Sequence, residues 1–96
     1  EKDRKGKEYN NNGKLIFEGE YLNGKRNGKG KNYNYEGYLI YDGEYLNGEQ
    51  HGKGKAYDNN LNLIFEGEFS NGQKWNGKGK EFYNNGNLKF EGTYLN

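Results

Sequence analysis

The stretch FEGEYLNGKRNGKGK, from Phe17 to Lys31, is written twice more with small changes. It returns as YDGEYLNGEQHGKGK from Tyr41 to Lys55 and as FEGEFSNGQKWNGKGK from Phe65 to Lys80. A fourth aromatic-Glu-Gly core opens at Phe90, so the copies begin 24, 24 and 25 residues apart. A fixed period of this size marks an array in which each copy is one supersecondary unit that buries its apolar side against its neighbours. The whole of 1–96 reads as one array: a partial repeat at 1–16, repeats at 17–40, 41–64 and 65–89, and a partial repeat at 90–96.

Within a unit the apolar period is two, which is the period of a strand. Leu15, Phe17, Gly19 and Tyr21 fall on one face, and Ile16, Glu18 and Glu20 on the other. Asn23-Gly24 and Asn47-Gly48 suit type I′ turns, whose central residues both need positive φ. A second turn lies between units, at Asn12-Gly13, Glu36-Gly37, Asn60-Leu61 and Asn85-Gly86; Leu61 is the odd member, because a branched side chain disfavours that backbone. Seventeen glycines are too dense for helix. The expected fold is all-β: an elongated, single-layer antiparallel meander of stacked β-hairpin repeats. It has about eight strands, near 5–10, 14–22, 25–33, 38–46, 49–57, 62–70, 74–83 and 87–95.

A two-residue loop at Asn23-Gly24 sets Leu22 opposite Lys25. Continued without interruption, that register sets Glu18 opposite Lys29, Gly19 opposite Gly28 and Phe17 opposite Gly30, so that a ring lies beside a glycine and covers its backbone. The third copy carries one extra residue around Trp75. A bulge at Lys74 to Asn76, or a longer loop at Ser70 to Lys74, must absorb it, or the rest of the strand inverts.

Composition narrows the function. Fifteen basic and fourteen acidic residues leave a net charge of +1, which argues against a dedicated nucleic-acid binder. There is no Cys, so disulfides and thiolate metal sites are excluded and a reducing, cytoplasmic setting is expected. The charged opening EKDRKGKEYNNN shows no signal peptide, and no apolar run approaches a membrane-spanning helix.

Catalytic patterns fail in turn. His51 is the one histidine, and its place in the repeat is taken by Asn27 and Asn76 in sister copies. Ser70 is the one serine, so a triad would need two singletons to converge. GQKWNGKG, Gly72 to Gly79, has phosphate-loop spacing but Gly79 where the hydroxyl residue belongs and no helix after it. DNNLN, Asp58 to Asn62, begins like a calcium loop but has Leu63 at the glycine position and Phe69 at the bidentate glutamate position. The acid pairs Glu18/Glu20 and Glu66/Glu68 recur beside lysines and read as a solvated strand face rather than paired catalytic carboxylates. No enzyme activity, cofactor or metal is expected.

YDGEYLNGEQHGKG, Tyr41 to Gly54, resembles the MORN repeat, the membrane occupation and recognition nexus motif: aromatic, Glu, Gly, Glu, aromatic, any residue, Asn-Gly, two variable residues, His-Gly, any residue, Gly. Tyr41, Gly43, Glu44, Tyr45, Asn47, Gly48, His51, Gly52 and Gly54 match it, with Asp42 for Glu and Tyr45 for the commoner Trp. Phe17 to Gly30 match with Asn27 for His, Phe65 to Gly79 with Phe69, Asn76 and the insertion, and Phe90 to Tyr94 begin a fourth copy with Thr93 for Glu. The resemblance implies single-layer sheets of stacked hairpins used in binding and assembly rather than catalysis. Such modules serve as scaffolds in cytoskeletal, ciliary and junctional structures, or as appendages of larger proteins, some lipid kinases among them.

Two surfaces are candidates for such a role. The aromatic stripe Phe17, Tyr21, Tyr41, Tyr45, Phe65, Phe69, Phe90 and Tyr94 is expected to line one face and offer a groove to a peptide or helix of a protein partner. The ladder Lys29, Lys31, Lys53, Lys55, Lys78 and Lys80 is the candidate lipid-headgroup contact, its field blunted by interleaved acids, so that membrane contact is weak. A further expectation concerns the ends. The array opens and closes inside a repeat, so it continues in a longer protein or pairs its open sheet edges with a second copy.

Overall fold

Strands form where the alternation and the turns place them. The computed structural model describes residues 4–83 and 85–95. Eight strands follow in chain order: β1 (Arg4–Tyr9), β2 (Leu15–Leu22), β3 (Lys25–Tyr33), β4 (Leu39–Leu46), β5 (Glu49–Tyr57), β6 (Leu63–Ser70), β7 (Gln73–Phe82) and β8 (Leu88–Tyr94). They make one open antiparallel sheet in sequence order, with no helix among the described residues. The molecule measures 44 × 34 × 14 Å, and the short dimension is that of one layer.

The turns are as their residues require. Asn23-Gly24, Asn47-Gly48 and Asn71-Gly72 all have positive φ at both positions, from 51° to 90°. The turns between units are three-residue loops. Gly13 N–H bonds Asn10 O at 3.0 Å, Asn10 N–H bonds Lys14 O at 2.9 Å, and Gly13 takes φ 79°. The Asn10 side chain completes the loop by accepting the amides of Asn12 and Lys14; Asn34 and Asp58 do the same one and two repeats later.

The register departs from the uninterrupted hairpin. Leu22 does face Lys25, but Gly19 faces Gly30, Glu18 faces Lys31 and Phe17 faces Asn32. Two residues of β3 are accommodated between Gly19 and Tyr21, so Glu20 stands against Asn27, Gly28 and Lys29. The cause is local. Gly28 takes φ 94°, and Glu20 Oε1 accepts the Lys29 amide at 2.7 Å, which stabilises the bulge from across the pair. Gly52, Glu44 and Lys53 repeat the device at 2.8 Å. Glu20 of the pair Glu18/Glu20, and Glu44 in the second copy, are therefore bulge anchors rather than solvated charges alone.

In the third copy Glu68 pairs with Asn76 and Phe69 with Lys74, so the single extra residue is Trp75. The odd bulge lets Gly77, not Gly79, face Gly67, while Gly79 faces Gly92 on the other side. Gly79 is buried like Gly30 and Gly54, so alternation survives the insertion. A further bulge recurs at Ile16, Ile40, Ile64 and Lys89, where the partner strand skips one residue.

The core is a row of rings. Tyr21, Phe17, Tyr45, Tyr41, Phe69, Phe65 and Tyr94 touch in succession, edge to face, with centroids 5.0–5.5 Å apart. The rings lie over glycine. A Cβ on Gly30 would stand 2.6 Å from the Phe17 ring, and one on Gly54 2.7 Å from Tyr41 Cε1. One layer can bury these rings because long polar side chains lie across them. The Arg26 guanidinium sits 4.1 Å from the Phe17 centroid, and Lys74 Nζ 5.6 Å from those of Phe65 and Tyr94.

Candidate functional site

The aromatic stripe does not form an open groove along its length. Phe17, Tyr41, Tyr45, Phe65 and Phe69 are 0–5% exposed, so five of the eight expected partner-binding rings are core. Tyr21 is half-buried, and Phe90 and Tyr94, on β8, are the open members. The physical reason is mutual cover: each ring is flanked by the next repeat's ring and backed by glycine, so no second sheet is needed.

At the β1 end the stripe is closed by a polar cluster. Arg26 donates through Nε and Nη2 to the two Glu8 carboxylate oxygens, both at 2.9 Å, and Tyr21 OH donates to Glu8 Oε2 at 2.6 Å. The hydrogen bond from Arg26 is the main cause holding the Glu8 carboxyl below its usual range. Burial, and then Glu8 itself, push the Tyr21 phenol up to about 12. Burial pushes Tyr41 up to about 12 and raises Tyr45 as well. Tyr45 OH donates to Asn32 Oδ1 and Tyr41 OH to the Glu44 carbonyl, so these phenols anchor the ring row to the backbone and its neighbours.

The opposite face holds the recess. A groove of about 840 Å³ runs over Gly6, Gly19 and Gly30, walled by Lys5, Lys7, Glu18, Glu20, Lys29, Lys31 and Asp42. A second of about 500 Å³ follows over Gly54 and Gly67, with Lys53, Lys55, Glu66 and Glu68. Register explains both. Gly6, Gly19, Gly30, Gly43, Gly54, Gly67 and Gly77 stand opposite one another from strand to strand at positions whose side-chain direction is toward the rings, so on this face the floor is backbone between rows of charged side chains. One wall reads Lys7, Glu18, Lys31, Asp42, Lys55, Glu66, Lys78 across the sheet, alternating in sign at every step. Lys7–Glu18 and Lys55–Glu66 approach at 3.8 and 3.9 Å.

The six lysines of the expected lipid ladder all lie on this face. Five are exposed and Lys80 is half-buried, and each stands across from an acid or, for Lys78 toward β8, from Thr93. Beside them runs an apolar shelf that sequence reasoning missed. Tyr33 alternates onto the face of Lys29 and Lys31, and Leu39 stands opposite it; Tyr9–Leu15, Tyr57–Leu63 and Phe82–Leu88 repeat the pair. Leu15 was expected on the face of Phe17. The bulge at Ile16 turns it over, and the only sequence signal was the recurrence of three apolar residues in a row.

His51 is half-buried at the bulge. Its counterpart Asn27 accepts the Asn47 amide of the next turn through Oδ1 at 3.3 Å. The turn glycines add to this stacking: Gly48 N–H bonds Arg26 O at 2.8 Å and Gly72 N–H bonds Gln50 O at 2.9 Å. Among the described residues no group of His, Asp and Glu has metal-holding geometry.

A family model for the MORN repeat matches residues 17–31, 41–61 and 65–88. No curated protein and no solved structure matches the chain significantly.

Proposed function

The chain belongs to the MORN-repeat family, and from that premise we propose that it is a non-catalytic interaction module whose partner surface is the glycine-floored face. The observation that carries this reading is the groove itself. Its walls alternate in charge at fixed spacing, its floor lets a ligand backbone approach closely, and its edge offers the Tyr–Leu shelf. A segment of a protein partner laid across the strands meets charge, backbone and apolar surface together, which is the mixed chemistry of a specific interface. The ring row, on the other face of the same sheet, builds the platform that holds the groove in shape.

The runner-up, a peripheral lipid-binding module or regulatory appendage of a larger enzyme, gains less from the geometry. Each groove lysine faces an acid across at least one strand pair, and this cancels much of the field an anionic surface would feel.

The test is affinity capture with the wild-type chain and with Lys31→Glu/Lys55→Glu, beside co-sedimentation with vesicles with and without anionic lipid. Proteins retained by the wild type and lost on the variant, with no sedimentation at physiological salt, are the expected result. Salt-resistant sedimentation with anionic vesicles and no groove-dependent protein would replace this reading with the lipid one.

A further inference from the structure

The lysines of the groove come in pairs. Lys5 and Lys7 flank Gly6 on β1, Lys29 and Lys31 flank Gly30 on β3, and Lys53 and Lys55 flank Gly54 on β5. Acid pairs occupy the strands between, β2, β4 and β6. On β2 and β4 one acid of the pair is turned to backbone, since Glu20 and Glu44 accept the Lys29 and Lys53 amides. The face is banded, basic and acidic by turns, and the basic bands recur every second strand, about 9.6 Å apart. The apolar shelf keeps the same period. Tyr9, Tyr33 and Tyr57 stand two residues beyond Lys7, Lys31 and Lys55, each opposite a leucine of the next strand.

An alternating array of charge cancels a short way above the surface, so it acts on a ligand seated in the groove far more than on a flat surface. A seated ligand must then match the period of the bands. A polyproline II segment turns the same side to the floor every three residues, about 9.3 Å. An extended strand does so every two residues, about 6.7 Å, and faces away at the middle lysine pair. An α-helix does so once per turn, about 5.4 Å, and over the four strand steps from β1 to β5 it runs about 2.4 Å out of step. Six polyproline II residues match the same span to within about 0.6 Å.

Resting on the reading that this groove is the partner surface, we propose that its occupant is a proline-rich segment in polyproline II conformation, laid across the strands, with a carboxylate at every third residue. Each carboxylate sits between the two lysines of one band. The acid bands repel a carboxylate placed anywhere else, so the spacing is set by attraction and repulsion together. The residues between turn toward the shelf. There proline packs in the notches between Tyr9, Tyr33 and Tyr57, and the phenols donate to carbonyls that the polyproline II backbone leaves free. The glycine floor lets that backbone come close, and a segment already stiff in this conformation loses little freedom on binding.

Three labelled peptides test this by fluorescence anisotropy. One is four Glu-Pro-Pro triplets. The second has the same composition in blocks, four glutamates and then eight prolines. The third is an alanine-based helix with one glutamate per turn. The triplet peptide is expected to bind about tenfold tighter than either of the others. Lys31→Glu/Lys55→Glu, at two exposed positions and with the fold checked by circular dichroism, should abolish that preference. A block or helical peptide that binds as tightly as the triplets overturns the proposal, and so does a triplet peptide that does not bind. In either case the groove reading stands if Lys31→Glu/Lys55→Glu still loses the proteins captured by the wild type. Triplet binding that this variant retains in full overturns both.

Discussion

Leu61 holds a backbone that its counterparts give to glycine: φ is 68° at Leu61 and 79°, 90° and 90° at Gly13, Gly37 and Gly86. A non-glycine residue there stores about 1–3 kcal/mol of strain. The side chain is 59% exposed and buries little in return. Leu61→Gly is therefore expected to stabilise the chain by about 1 kcal/mol, after the unfolded state's gain in freedom is subtracted. Thermal melting checks it, and an unchanged or lower midpoint would show that Leu61 packs better than its exposure implies. Gly43 is the opposite case. A Cβ there would stand 2.5 Å from Gly54 Cα and 2.6 Å from Lys53 O, atoms of the neighbouring strand that cannot swing aside. Gly43→Val should cost about 3 kcal/mol, whereas Gly86→Asn, where nothing lies within 4 Å of a Cβ, should stay within about 1 kcal/mol. Equal losses in denaturant titrations of the two would sink the ring-over-glycine account.

The bulge is the working part of each hairpin. It bends β3 and β5 so that the next repeat's Asn-Gly turn can bond to their carbonyls, and a glutamate across the pair holds it in place. Glu44→Ala should cost about 1 kcal/mol, the worth of an exposed charge-assisted bond to backbone. Glu68→Ala should cost less, because Glu68 meets the Asn76 side chain at 3.2 Å instead of a bulge amide. Trp75 offers a sharper test. Deleting it gives the third copy the spacing of the first two. Gly79 should then move opposite Gly67, with Gly77 entering the bulge. Nuclear Overhauser contacts between the α-protons of Gly67 and Gly79 would report the switch; contacts still running from Gly67 to Gly77 would refute it.

Across the whole molecule, ionisation sets the pH window of stability. The folded Glu8 carboxyl titrates below its usual value because Arg26 binds it. Its contribution is therefore complete above the unfolded carboxylate range and fades as pH falls through the folded value. The difference in melting temperature between wild type and Glu8→Gln should shrink steadily as pH is lowered from 7 into that range. A gap that stays constant would mean the Glu8–Arg26 pair adds nothing through its charge. The phenols act at the other end. Tyr21 and Tyr41 are raised to about 12, so their contribution is whole below the ordinary tyrosine value near 10 and is lost as pH climbs toward 12. Absorbance at the phenolate band should show these tyrosines ionising late, together with unfolding.

Period, strand count, strand limits and turn chemistry were all legible in the sequence, because Asn-Gly pairs and two-residue alternation act over a few residues and carry their own geometry. The bulge at Trp75 was legible for the same reason, since one residue too many must go somewhere. The paired register was not. Glu18 against Lys31 rather than Lys29 depends on a glutamate reaching a backbone amide across two strands, and on the next repeat's turn needing a carbonyl to bond. The stripe Phe17 to Tyr94 could be named from spacing, but its burial could not. Exposure is decided by what the next repeat and the side chains of Arg26 and Lys74 lay over each ring, and by how far each glycine lets it sink. The groove lay on the other face for a related reason. Sequence alternation assigns a side to each residue, whereas only tertiary register lines up glycines from seven strands into one floor.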